Sequence, residues 1–178
     1  MSVGALADET LLGTLADAAE RLGRRVHVPA GAIGGLDVRR AAALDRLDEV
    51  TLVTSKPPHV LAGAPFFDAN PIDLPAIRVR TVIFEGPAAQ AVKLFPANVN
   101  VAAALSLAGI GPARTRMQVV ADPALDRNVH EVVARGAFGE MTLRLANVPS
   151  PSNPRTSLLA CLSGLATLRR LSTPLQIG

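Results

Sequence analysis

VPAGAIGGLD, Val28 to Asp37, joins a segment that reads as a strand, Arg25 to Pro29, to one that reads as a helix, Leu36 to Leu44, through a glycine-rich loop. Gly31, Gly34 and Gly35 give the loop access to positive φ and remove the Cβ atoms that would keep a ligand from the main chain. Such a loop offers backbone amides to an anion or a carboxamide, and the same pattern also serves as ordinary turn chemistry. Upstream, Ser2 to Ala7 reads as a short strand. Asp8 stands as an N-cap before a helix with apolar positions at Leu11, Leu12, Leu15, Ala18, Ala19 and Leu22, ended by Gly23. The expected order of this first part is therefore β, α, β, loop, α, the closing portion of a parallel α/β unit.

From Val50 the pattern changes to longer strands that alternate by twos: Val50–Ser55, Ile77–Phe84, Arg116–Ala121, Asn128–Arg135 and Glu140–Ala146. Helices are expected at Ala88–Leu94 and Val99–Ala108. A last helix is expected to begin at Asn153, with Pro154 in its first turn and Arg169 and Arg170 in its last. The proline-rich stretch Lys56–Pro75 reads as a long loop or lid. The fold class is α+β, with a largely antiparallel or mixed sheet and helices on one face, preceded by the closing β-α-β part of an α/β domain. The division falls between residues 1–35 and 36–178.

Composition bounds the function. The 178 residues are 49% hydrophobic and 19% charged, enough for a full core, and the 3% aromatic share leaves few platforms for stacking nucleobases. The net charge is +3 and the arginines are scattered, so no nucleic-acid partner is expected. Neither a membrane span nor a signal peptide is expected, which points to the cytoplasm. The single cysteine, Cys161, falls in an apolar helical pattern and is expected to be buried. No metal-ligand spacing or nucleophile elbow occurs, and no metal is expected.

Few residues remain for chemistry. In NVHE, strand alternation puts Asn128, His130 and Val132 on one face and Glu131 on the other, so Glu131 does not orient the His130 ring. A half-buried structural histidine is the plain alternative. Lys56 closes a strand ahead of Pro57 and Pro58, where a cation reaches a cleft or simply meets solvent. Asn98 and Asn100 stand where a small-residue helix begins, as caps or as ligand contacts.

Read together, VPAGAIGGLD, TSKPP (Thr54–Pro58), FEGPAAQAVKLFPANVNVAAALSLAG, ADPALDRNVHEV and GAFGEMTLRLANVPSPSNPRTSLLA resemble, in order and over nearly the whole chain, the L-aspartate dehydrogenase family. The resemblance implies an N-terminal Rossmann domain, a C-terminal α+β catalytic domain, and oxidation of L-aspartate to iminosuccinate with NAD or NADP, a step that can feed NAD biosynthesis. It also implies that His130 is catalytic and that Ala32 and Asn100 contact the cofactor, with Asn98 as the neighbour of Asn100. Lys56 is the candidate partner for a substrate carboxylate, and a homodimer is expected. The G-x-G-x-x-G turn and the acidic ribose-binding residue of a dinucleotide site are not in this sequence. The expectation is thus of a chain that begins partway through the Rossmann domain and has little activity alone. The alternatives are a non-catalytic dimerising or ligand-sensing module, and a dehydrogenase of the homoserine type.

Overall fold

The computed structural model describes residues 3–96 and 99–174. A 3-10 turn, Val3–Ala7, leads into α1 (Glu9–Arg21), and an extended segment and the glycine loop lead into α2 (Leu36–Ala42). The sheet then begins with β1 (Leu47–Lys56). Two one-turn helices follow, α3 (Pro58–Leu61) and α4 (Phe66–Ala69), before β2 (Thr81–Pro87), α5 (Ala88–Leu94), α6 (Val99–Leu107) and β3 (Arg116–Ala121). The chain continues through β4 (Asn128–Gly136) and β5 (Gly139–Asn147), a small hairpin of β6 (Pro149–Ser150) and β7 (Asn153–Ser157), and α7 (Leu158–Ser172).

The main sheet has five strands in the order β2-β3-β1-β4-β5. Only β1 and β3 run parallel; the pairs β1–β4, β2–β3 and β4–β5 are antiparallel. This is the α+β architecture expected from the alternating strands. Alternation also divides the two faces. Val50, Leu52, Met117, Val119, Val132 and Ala134 are sealed in one cluster with Ala91, Phe95, Ala102 and Leu105 of the α5–α6 layer. Phe66, Phe67, Phe84 and Phe95 pack together within this layer, with Phe66 and Phe95 stacked at 5.1 Å between ring centroids. The opposite face is mixed, with Val53, Val120, Val129 and Val133 beside charged pairs: Arg135 reaches Glu49 at 2.9 Å and Glu140 at 2.7 Å, and Arg116 reaches Glu85 at 2.9 Å. Exposed pairs of this kind contribute little stability each.

Several local expectations are corrected. Of the strand expected at Ser2 to Ala7, Ser2 lies outside the described residues, and from Val3 to Ala7 the chain is a 3-10 turn, with Val3 packed on Ala103 and Ala104 and the Gly4 amide donating to Asn100 Oδ1 at 2.8 Å. Arg25–Pro29 carries no ladder bonds, because no strand among the described residues lies beside it to pair with. The expected β-α-β lead-in is therefore a turn, a helix and an extended segment. Asp8 does cap α1, accepting from the Leu11 amide at 3.0 Å. Helix α7 starts at Leu158 instead of Asn153, since residues 153–157 pair with β6 and Ser157 supplies the cap to Ala160 N at 3.1 Å. Cys161 is exposed, because none of the α7 residues is buried.

Candidate functional site

The site is built by strand register. β1 and β4 place Thr54 directly opposite His130 on the core face, and Thr54 Oγ1 lies 3.1 Å from His130 Nδ1. Lys56, two residues along β1, shares that face. The three side chains belong to residues with 0%, 4% and 5% exposure for Thr54, Lys56 and His130, polar groups set at the end of an otherwise aliphatic face. Such burial is costly for polar side chains, so a cluster of them here needs a reason beyond packing.

The electrostatics follow from the burial. Desolvation, and secondly the charge of Lys56, push the His130 pKa down to about 4, so the ring is neutral at physiological pH. Desolvation alone lowers Lys56 to about 8. No carboxylate forms an ion pair with Lys56 among the described residues. Asp122, which follows β3, turns its carboxylate to the Ala124 amide at 3.0 Å. Glu131 lies on the opposite face with Arg144, as alternation requires. Among the described residues, the side-chain nitrogens that are both sealed and unpartnered are those of Arg39.

The glycine loop is fastened beside this cluster from two sides. Asn147 Nδ2 donates to the Ala32 carbonyl at 3.1 Å, and the Gly31 amide donates to Ser163 Oγ on α7 at 2.9 Å. Asn147 is at the end of β5, whose Leu145 stands opposite His130. Gly31 and Gly35 take φ of 70° and 69°, as expected, whereas Gly34 does not take a positive φ. A Cβ on Gly34 would meet Leu143 Cδ2 at 3.2 Å, and one on Gly35 would meet the Met141 sulfur at 3.2 Å. The missing side chains of Gly34 and Gly35 therefore let the loop sit tightly on β5, while the position off Gly31 is open. The loop also borders a cleft of about 660 Å³ shared with α6 and α7, lined by Val28, Gly35, Arg40, Ser163 and Arg170. Neither Lys56 nor His130 lines that cleft.

Of the residues singled out in the sequence, His130 and Lys56 share one face, and Ala32 is bonded to Asn147, two residues along β5 from the Leu145 that stands opposite His130. Asn100 is on the first turn of α6, and its Oδ1 accepts from Gly4; no hydrogen bond among the described residues links it to the other three. Asn98 lies outside the described residues. Sequence reasoning missed Thr54, Asn147 and Ser163. Thr54 was findable in principle, since pairing β1 with β4 puts it opposite His130, but the register is a tertiary fact. The described residues contain no group of three or more histidine, cysteine or carboxylate side chains able to hold a metal ion, and no helix long and apolar enough to cross a membrane.

An α+β domain whose mixed sheet ends in a buried lysine and histidine beside a pinned glycine loop defines the class, and residues 37–171 match the family model described as aspartate dehydrogenase, C-terminal. The chain belongs to the aspartate dehydrogenase family. It is 53% identical to an L-aspartate dehydrogenase of Methanocella arvoryzae and 52% identical to one of Methanosarcina barkeri, covering all of this chain and 66% of each relative. The crystal structure of an aspartate dehydrogenase from Thermotoga maritima superposes with a TM-score of 0.81 at 34% identity, again over all of this chain and 66% of the other. The chain thus spans just under two thirds of the length of these relatives.

Proposed function

We propose that the protein acts in the NAD- or NADP-dependent oxidative deamination of L-aspartate to iminosuccinate, with His130 at the reacting carbon. The observation that carries this reading is the juxtaposition of His130 and Lys56 on one face of paired strands, with the glycine loop tied to the neighbouring strand through Asn147. Aspartate brings two carboxylates, and a buried ammonium without a protein carboxylate is suited to hold one of them. A neutral imidazole beside it hydrogen-bonds substrate without adding a second positive charge.

The residues present also fit the nicotinamide end of the cofactor. The Ala32 carbonyl is engaged by Asn147, and its amide donates to no backbone or side-chain acceptor among the described residues. Asn100 spends its oxygen on Gly4 and keeps its NH2 group for another acceptor. These donors suit a carboxamide and ribose hydroxyls. When bound, an oxidised nicotinamide accepts the hydride released at the substrate Cα. Residues 1–35 would then serve the dinucleotide side, and residues 36–178 would form the catalytic and dimerising unit, in a cytoplasmic enzyme that supplies NAD biosynthesis.

Calorimetric titration with succinate or citrate tests the reading. The expected result is dicarboxylate binding that is lost at least tenfold in Lys56→Met. Equal affinity for a monocarboxylate such as acetate, or binding untouched by Lys56→Met and His130→Ala, would overturn it.

A further inference from the structure

The contact between Thr54 and His130 decides which ring nitrogen carries the proton. Thr54 is fully buried, and the His130 ring is the partner recorded for its hydroxyl among the described residues. A hydroxyl has one hydrogen to place and a neutral imidazole has one nitrogen lone pair to offer. If Nδ1–H donated to Oγ1, the Thr54 hydrogen would be buried with no acceptor. If Oγ1–H donates to Nδ1, both groups are satisfied. Leu145, opposite His130 on β5, offers no polar alternative.

We infer that Thr54 is a positioning residue that donates to His130 Nδ1 and holds the ring proton on Nε2, so that His130 meets its ligand as a hydrogen-bond donor. With Nδ1 occupied by Thr54 and Nε2 protonated, the ring has no free lone pair for a proton. Lys56 is the cationic group facing this ring, and neither Asp122 nor Glu131 faces it.

The test is solution NMR of the whole chain without cofactor. Long-range proton–nitrogen correlation at pH 7 distinguishes the tautomers of the three histidines, and His130→Gln assigns the His130 signal by its loss. The expected spectrum shows His130 neutral with its proton on Nε2. Thr54→Val should raise the Nδ1–H form several-fold, and Thr54→Ser should restore the original ratio. An Nδ1–H ring in the unaltered chain, or a ratio unmoved by Thr54→Val, overturns the inference, and the unaltered spectrum decides even if Thr54→Val does not fold.

Discussion

Asn147 Nδ2 donates to the carbonyl of Ala32, a contact that bridges 115 residues of chain and fixes the glycine loop against the strand beside His130. Asn147 is 5% exposed, so this is a buried amide satisfying a carbonyl that would otherwise be left without a partner.

Replacing that amide should loosen the loop without disturbing the sheet. Asn147→Ala is expected to cost about 1–2 kcal/mol. Amide hydrogen exchange should quicken at residues 30–35 and stay unchanged in β1 and β4. Exchange that is uniform across the chain would mean that Asn147 only supports global stability.

The buried ring predicts a specific acid sensitivity. The folded pKa of His130 is depressed to about 4, whereas the unfolded ring titrates near its ordinary 6.5. Between these values the unfolded state binds the proton and the folded state does not, so stability falls as pH drops through this window, by about 3 kcal/mol in total. Urea unfolding from pH 7 to pH 4 should show that loss, and His130→Gln should remove most of it.

Lys56 works in the same direction at higher pH. Its folded pKa of about 8 lies below the ordinary 10.5, so its burial as an ammonium costs stability at neutral pH and the cost fades as pH rises from 8 toward 10.5. Lys56→Met is expected to stabilise the fold at pH 7 by about 1–3 kcal/mol and to raise the His130 pKa, because the second cause of that depression is removed. A destabilised Lys56→Met variant would mean that the ammonium has a partner worth more than its desolvation.

Arg39 and Gly109 form the other tight relationship away from the site. Arg39 is fully buried, its guanidinium nitrogens have no partner among the described residues, and a Cβ on Gly109 would collide with Nη2. Burial lowers its pKa to about 10. Gly109→Ala should therefore destabilise by about 1–3 kcal/mol through overpacking. Arg39→Met, which fills similar space without a charge, should be neutral or stabilising and should absorb most of the Gly109→Ala penalty in a double-mutant cycle. Additive effects would show that the two side-chain positions do not share the space.

The strands of the sheet were legible because alternation is a local property. Arg116–Ala121 and the helix Ala88–Leu94 fall where the sequence puts them, and the core face of β1 and β4 can be read from every second residue, Val50 and Leu52 on one strand and Val132 and Ala134 on the other. His130 and Lys56 were singled out from their residue type and their place at strand ends, and Asp8 from its capping chemistry. The N-terminal strands were misread for a physical reason: an extended apolar segment becomes a strand only if a partner offers a ladder, and residues 25–29 have none. The same holds in reverse for residues 153–157, which a hairpin partner draws out of the helix expected there.

By itself the sequence determined the α+β class, the amphipathic sheet and the residue types available for chemistry, because periodicity and side-chain chemistry act over a few residues. Only the tertiary structure decided that Thr54 meets His130, that Asn147 and Ser163 fasten the glycine loop, and that Lys56 is buried without a carboxylate. Those relations depend on strand register and on contacts between elements up to 132 residues apart, which no local pattern specifies.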